Sequence, residues 1–200
     1  MANSTDSPVV ATRQKLCTLA ALPGYLNEFE LGPLTATKAM KISNLTHEGA
    51  APTVRLVEDL RSARVPFAPS CFGGADGDRK GCLISIPQET ADALVLLEEW
   101  ALDRLSAQVP NIREIWVSCV RPSEKWPPCL RCKINTGGPR QVKYYNEHNE
   151  KCDAPSDWKQ LSVNACLTIR GIYVQKSGAG MLIDITHLQY EDEGEEEAPF

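Results

Sequence analysis

The sequence lacks the features of a membrane-spanning or secreted chain. Its longest uninterrupted apolar stretch, residues 93–97, is stopped by Glu98 and Glu99. A transmembrane helix needs about 20 apolar residues, so this stretch is far too short. The first 20 residues also lack the charged and then apolar profile of a secretory signal peptide. We therefore expect no membrane association and an intracellular, reducing compartment.

Histidine is scarce, and the residue groups typical of catalysis are not recognisable. The chain has three histidines, His47, His148 and His187. His187 lies in an apolar, strand-like segment, which indicates a structural role. The glycine-containing stretch 177–180 is not followed by Lys-Ser/Thr, so it does not match a phosphate-binding loop. With no evident nucleophile–base or acid–base pair, we predict that the protein is not an enzyme and uses no cofactor.

Basic residues are absent from positions 191–200, which read EDEGEEEAPF and hold six of the 26 acidic residues. The other 190 residues contain 21 basic and 20 acidic residues, so the net charge of −5 is a property of this segment. We predict an acidic, disordered tail at 191–200 and a flexible N-terminal segment at 1–12. Residues 13–190 then form one domain.

Cysteine is abundant, but its placement does not indicate a disulfide framework. Most of the eight cysteines lie in apolar segments such as 82–86 and 164–169. A free thiol in such a segment packs as a small hydrophobic group. In a reducing compartment we expect these cysteines to stay free.

One helix and many short strands are predicted between the termini. Residues 88–108 carry apolar side chains at helical spacing, with Leu94, Leu97 and Leu105 on one stripe. Strands are predicted at 37–45, 53–60, 82–86, 113–120, 129–135, 141–145, 163–174 and 181–188. This order favours a mainly β fold with one substantial helix, an OB-fold-like small β-barrel with long loops. A β-sandwich with one helix is the alternative.

Basic and aromatic residues are interleaved between positions 112 and 151. If 129–135 is a strand, Leu130, Cys132 and Ile134 face the core, while Arg131 and Lys133 share the outer face. Single-stranded nucleic acid is bound by such cations, which follow the phosphates, and by aromatic rings, which stack on bases. The candidate DNA-binding residues are Lys125, Trp126, Arg131, Lys133, Arg140, Lys143 and Tyr145. A solvated basic face with the aromatic residues in the core is the alternative.

A second pattern uses some of the same residues. Cys129, Cys132, His148 and Cys152 have the spacing C-x2-C-x15-H-x3-C, which is acceptable for zinc. Strand alternation, however, places Cys129 and Cys132 on opposite faces. A zinc-stabilised factor that binds nucleic acid or protein therefore stays as the alternative function. A structural or capsid-associated protein, which needs no groove, is a further one.

Three stretches resemble the single-stranded-DNA-binding proteins of podophages and of large eukaryotic DNA viruses. They are PPCLRCKIN at 127–135, the hairpin formed by 165–174 and 181–185, and the acidic tail ending in Phe200. The resemblance implies an oligonucleotide-binding barrel that coats single strands without sequence specificity in DNA replication, recombination and repair. It also implies a homodimer, and the host cell cytoplasm or nucleus as the location of a viral protein.

The tail carries two further expectations. Glu195, Glu196, Glu197 and Phe200 combine a flexible polyanion with a terminal aromatic ring, which suits a partner that has a basic groove and an apolar pocket. The resemblance implies that this partner is a DNA polymerase or helicase. The polyanion can also occupy the protein's own basic groove, where it would compete with DNA phosphates.

Overall fold

The computed structural model describes residues 17–37, 40–71 and 77–191 of the 200-residue chain. Two α-helices are present in these residues, α1 (Gln88–Leu105) and α2 (Ile112–Ile115), together with 3₁₀ helices at Leu19–Glu28 and Leu60–Ser62. The strands in the same residues are β1 (Phe29–Leu31), β2 (Thr35–Ala36), β3 (Lys41–His47), β4 (Thr53–Arg55), β5 (Arg64–Val65), β6 (Arg79–Ser85), β7 (Val120–Arg121), β8 (Cys129–Asn135), β9 (Lys143–Tyr145), β10 (Lys151–Cys152), β11 (Leu161–Gln175) and β12 (Gly178–Glu191).

Five strands close into a ring. β11 pairs with β5, β5 with β6, β6 with β8, β8 with β12, and β12 pairs back with β11. Only the β8–β12 pairing within this ring is parallel. A five-stranded, partly open barrel is the architecture of the OB-fold. The predicted mainly β, OB-fold-like barrel with one substantial helix is therefore confirmed.

The long hairpin β11–β12 contains two β-bulges. The register passes from Cys166–His187 to Leu167–Ile185, which leaves Thr186 as the extra residue of β12. It then passes from Ile169–Ile183 to Gly171–Leu182, so Arg170 is the extra residue of β11. Gly171 follows at φ 143°, and a Cβ there would overlap the Ser43 carbonyl oxygen. Bulges redirect side chains, and both extra residues line the groove described below.

Helix α1 contributes one face to the core, as the apolar spacing predicts. Leu94, Leu97 and Leu105 are fully buried, whereas Val95 and Leu96 are exposed. On the same helix the buried carboxylate of Glu98 accepts hydrogen bonds from Ser118 Oγ at 2.7 Å and from the Cys119 backbone N–H at 2.6 Å. The helix is therefore joined by a polar contact to the segment that leads into β7.

The predicted strand at 113–120 is wrong. Helix α2 occupies Ile112–Ile115, and the only strand in this region is the two-residue β7. The Asn111 carbonyl accepts hydrogen bonds from the N–H groups of Glu114 and Ile115, and the resulting turn buries Ile112 completely. The stabilisation gained by burying Ile112 in a helical turn thus outweighs the β-propensity of the segment.

Strand β12 is the last element of the described residues. β12 continues to Glu191, which pairs with Ser162 of β11, so the first residue of the predicted tail is part of the sheet. Residues 1–12 and 192–200 lie outside the described residues. In the part that is described, no helix has the length and apolar character needed to cross a membrane. All eight cysteines are free.

Candidate nucleic-acid interface

The outer face of the barrel is the side of β6, β8, β11, β12 and β9 that points away from the core. On β8, Leu130, Cys132 and Ile134 are buried. Arg131 between them is exposed, and Lys133 is half-buried. The alternation predicted for 129–135 is therefore confirmed.

Asp184 of β12 lies at the centre of this face. Its nearest β8 neighbour in the register is Lys133. One carboxylate oxygen accepts a hydrogen bond from Arg79 of β6 at 2.7 Å, and the other accepts one from Arg170 at 3.1 Å. The Asp184 side chain is 9% exposed, whereas those of Arg79 and Arg170 are 44% and 38% exposed. Two arginines from different strands are thus fixed in place and still reach solvent.

A groove of about 390 Å³ runs beside Asp184 on the outer face. Three basic side chains line it, Arg140, Lys143 and Arg170, with hydroxyl and amide groups between them. The complete lining is Asn135, Arg140, Gln141, Lys143, Thr168, Arg170, Asp184, Ile185, Thr186 and His187. The groove therefore brings the predicted Arg140 and Lys143 together with residues that the basic segment 112–151 does not contain.

Two aromatic rings meet next to the groove. Tyr145 of β9 and His187 of β12 have ring centroids 6.0 Å apart at an interplanar angle of 32°. Burial, and the charge of Lys143, lower the pKa of His187 below its usual value. The preceding residue, Tyr144, points into the core, where burial raises its pKa to about 12. Of the two adjacent tyrosines, Tyr144 and Tyr145, it is thus Tyr145 that faces outward, as predicted.

The remaining predicted residues lie in the loop before β8. Lys125 is exposed, and Trp126 is 76% exposed, with its backbone N–H donating to Ser123 Oγ at 3.2 Å. Trp116 is different, because its indole nitrogen is buried and its backbone forms a bridge with Ala179. Trp126 is therefore available to stack on a base, whereas Trp116 packs against the fold.

Sequence reasoning missed part of this face. Arg79, Arg170 and Tyr173 lie outside the basic segment, and the sheet register is what brings them beside it. Tyr173 pairs with Gly180, which leaves room for its ring, because a Cβ at position 180 would lie 3.2 Å from that ring. Burial raises the pKa of Tyr173, whereas the nearby charge of Arg131 lowers it. Strand alternation along 161–175 would place Arg170 and Tyr173 on opposite faces, because it takes no account of the bulge at Arg170.

The four residues with zinc spacing are not brought together. Cys132 is buried beside Cys82, its partner in the β6–β8 register, and its thiol donates to the Cys82 carbonyl oxygen at 3.6 Å. Cys129 lies on the other side of β8, and His148 is exposed in the turn before β10. Among the described residues, no cluster of three or more His, Cys, Asp or Glu side chains could hold a metal ion. The structure therefore does not assemble the four residues of the zinc spacing, because strand alternation separates the first two of them.

Glu195, Glu196, Glu197 and Phe200 lie outside the described residues. The last described residue is Glu191, whose carboxylate accepts two hydrogen bonds from the Arg61 guanidinium, at 2.6 and 3.0 Å.

Comparison with known proteins gives a likeness in fold. No protein-family model matches the chain, and no curated protein matches its sequence. Among solved structures, gp2.5, a single-stranded DNA-binding protein encoded by bacteriophage T7, is similar with a TM-score of 0.52 and 8% identity over 71% of this chain and 87% of that one. The single-stranded DNA-binding protein of bacteriophage Enc34 in complex with ssDNA matches with a TM-score of 0.47 and 9% identity, over 83% of this chain and 97% of that one. The resemblance to phage single-stranded DNA-binding proteins is thus confirmed at the level of the fold.

Proposed function

We propose that this protein binds single-stranded DNA, with little base preference, through the outer face of its barrel. The observation that carries the proposal is the convergence of basic side chains from several strands around one carboxylate, that of Asp184. Arg79 and Arg170 bind this carboxylate directly. Arg140 and Lys143 line the groove beside it, and Arg131 and Lys133 lie on the outer face of the neighbouring β8.

The chemistry of the face suits a single strand better than a duplex. Cations bind phosphates and release the counterions condensed on them. The exposed ring of Trp126 and the outward ring of Tyr145 are placed to stack on bases, each worth roughly 1–3 kcal/mol. A duplex keeps its base faces inside the helix, so only an unpaired strand can use both kinds of contact. Since every base has a stacking face, little sequence preference is expected.

The fold likeness supports the same function. The bacteriophage T7 protein gp2.5 is described as a single-stranded DNA-binding protein, and the present chain covers 87% of it. We extend the proposal on this basis to DNA replication, recombination and repair, and to a homodimer. No catalytic role is proposed.

The acidic segment 192–200 is proposed to have two roles. Its glutamates, among them Glu195, Glu196 and Glu197, would compete with DNA for the outer face, and Phe200 would contact a polymerase or helicase. Chain length supports the competition. Nine residues can span at most about 30 Å, whereas His187 lies only four residues before Glu191 on β12, about 13 Å away.

The test is a salt titration of binding to single-stranded and double-stranded oligonucleotides of mixed sequence. We expect tighter binding to the single strand, and an affinity that falls linearly on a log–log plot against salt concentration. The double variant Arg131→Ala/Lys133→Ala is expected to reduce the slope by about 1–2 units.

The matched control is Arg113→Ala/Lys159→Ala, which removes the same charge away from the outer face. Arg113 is engaged with Glu99 and Asp103 on α1, and Lys159 is in the turn before β11. Equal or tighter binding to the duplex would contradict the proposal, as would a control double variant with the same loss of slope.

A further inference from the structure

A row of side chains crosses the sheet from the groove residues Lys143 and His187 to β4. Arg55 of β4 is opposite Cys166 of β11, Cys166 is opposite His187 of β12, and His187 is opposite Lys143 of β9. Directly opposed residues project from the same side of a sheet. The four side chains therefore form one line over four neighbouring strands, about 14 Å from first to last.

The charges at the two ends of this row act on the groups inside it. Burial raises the pKa of Cys166, and the Arg55 charge opposes that rise. Lys143 acts on His187 at the other end, where its charge adds to burial in lowering the pKa. The guanidinium of Arg55 thus lies close enough to Cys166 for its charge to act on that thiol.

Arg55 is exposed, and none of the described carboxylates forms an ion pair with it. Two residues before it on β4, Thr53 shares a hydrogen bond of 3.2 Å with the groove residue Thr168. β4 therefore extends the polar surface of the groove without interruption. An arginine at its end can bind a phosphate without first breaking an ion pair in this part of the chain.

Two other courses from the groove attract a phosphate less. Following β9 leads to the turn that carries the exposed residues Glu147 and Glu150, which repel a polyanion. Following β12 leads to Glu191, around which the charges of Arg61, Arg64 and Asp59 balance. The row across the sheet, by contrast, ends in a cation.

We infer that the bound strand leaves the groove across the sheet, along the row from Lys143 to Arg55, and that Arg55 contacts one of its phosphates. The inference rests on the proposed single-strand binding. It assigns a role in DNA binding to Arg55, which lies 70 positions before Lys125 and outside the basic segment 112–151.

The length of the oligonucleotide tests this course. Oligothymidylates of about 4 and about 16 nucleotides cover the range of OB-fold site sizes. We expect Arg55→Ala to weaken binding of the long one about fivefold at roughly 0.1 M salt, and to reduce its salt slope by about 0.7. Binding of the short one, which the groove alone can hold, is expected to stay unchanged. Arg55→Lys is expected to restore most of the affinity for the long oligonucleotide, because it keeps the charge.

A second readout uses the half-buried thiol of Cys166 in the middle of the row. Its rate of alkylation by iodoacetamide, followed by mass spectrometry, is expected to fall when the long oligothymidylate is bound, and to be unaffected by the short one. This measurement uses the unmodified protein, so it does not depend on how any variant folds.

Three outcomes would overturn the inference: unchanged binding of the long oligonucleotide by Arg55→Ala, an equal loss at both lengths, or an equal loss in Arg113→Ala, which removes a charge near α1. Failure of the unmodified protein to bind either oligonucleotide would instead contradict the proposed function itself. The two failures are therefore distinguishable.

Discussion

Asp184 sets the arrangement of charge on the outer face. Each of its carboxylate oxygens binds one nitrogen of a guanidinium, that of Arg79 or that of Arg170. A guanidinium has five N–H donors, so both arginines keep donors for a phosphate while their positions are fixed. The carboxylate thereby reduces the positive charge of the face. It also lowers the conformational entropy that the arginine side chains lose when they bind a phosphate, because they are already ordered.

His187 is expected to make folding stability depend on pH. Its pKa is lowered in the folded state by burial and by Lys143, relative to about 6.5 in an unfolded chain. Between these two pKa values the unfolded chain binds more protons, so stability rises with pH. The contribution of His187 is thus fully present above about pH 6.5 and is lost as the pH falls through the folded pKa.

Urea denaturation across this pH range measures the effect. His187→Gln is expected to flatten the dependence of the unfolding free energy on pH. His148→Gln is the control, because the His148 side chain is 73% exposed, and it is expected to leave the dependence unchanged. The same pH dependence in His187→Gln and the unmodified protein would show that burial of this imidazole does not control it.

At the scale of elements, α1 supports the barrel through one face. Leu97→Ala is expected to lower the unfolding free energy by about 2–5 kcal/mol, since Leu97 is fully buried. Leu96→Ala is the neighbouring control at a side chain that is 52% exposed, and its effect is expected to stay within about 0.5 kcal/mol. Denaturant titrations measure both. Loss of DNA binding by Leu97→Ala with unchanged stability would argue against a structural role for the helix.

A second pair of neighbours on α1 tests the polar contact with the segment before β7. Glu98→Gln is expected to cost about 1–3 kcal/mol, because the Cys119 N–H and the Ser118 hydroxyl lose a buried charged acceptor. Glu99→Gln affects an exposed ion pair with Arg113 and is expected to cost less than about 1 kcal/mol. Equal changes in the denaturation midpoints of the two variants would mean that the contact of Glu98 adds no stability.

Elements defined by local periodicity could be predicted from the sequence. The alternation in 129–135 places Arg131 and Lys133 on the outer face, and the helical spacing places Leu94 and Leu97 in the core. The segment 113–120 misled the prediction, because its β-forming residues gave no sign that one helical turn would bury Ile112.

The rest of the candidate site depends on pairing between distant segments. Arg79 and Arg170 are 105 and 14 positions from Asp184, and the ion pairs that join them follow from the sheet register. Arg170 also owes its direction to a bulge, which a single misplaced residue in the hairpin register would abolish. Periodicity within one segment carries no information about either.

At the scale of the whole molecule, charge is separated along the chain. The net charge of −5 arises from residues 191–200, whereas the barrel has a basic outer face. Attraction between the two parts would be long-range and therefore sensitive to salt.

Removal of residues 192–200 is expected to tighten binding to single-stranded DNA, most clearly at low salt, because a competing polyanion is lost. Phe200→Ala keeps every acidic residue and is expected to leave DNA affinity unchanged, so it serves as the control for charge. Fluorescence anisotropy at two salt concentrations measures both. An affinity that is unaffected by the deletion at both concentrations would exclude competition by the tail.

The central claim is that the outer face, centred on Asp184, holds single-stranded DNA. The most direct measurement is ultraviolet cross-linking of the unmodified protein to a single-stranded oligothymidylate, with the cross-linked peptides identified by mass spectrometry. The account predicts cross-links at Trp126, Tyr145 and Tyr173, and none on the exposed side of α1 around Leu96 and Glu99. Cross-links concentrated on α1, or an outer face free of them at saturating oligonucleotide, would contradict it.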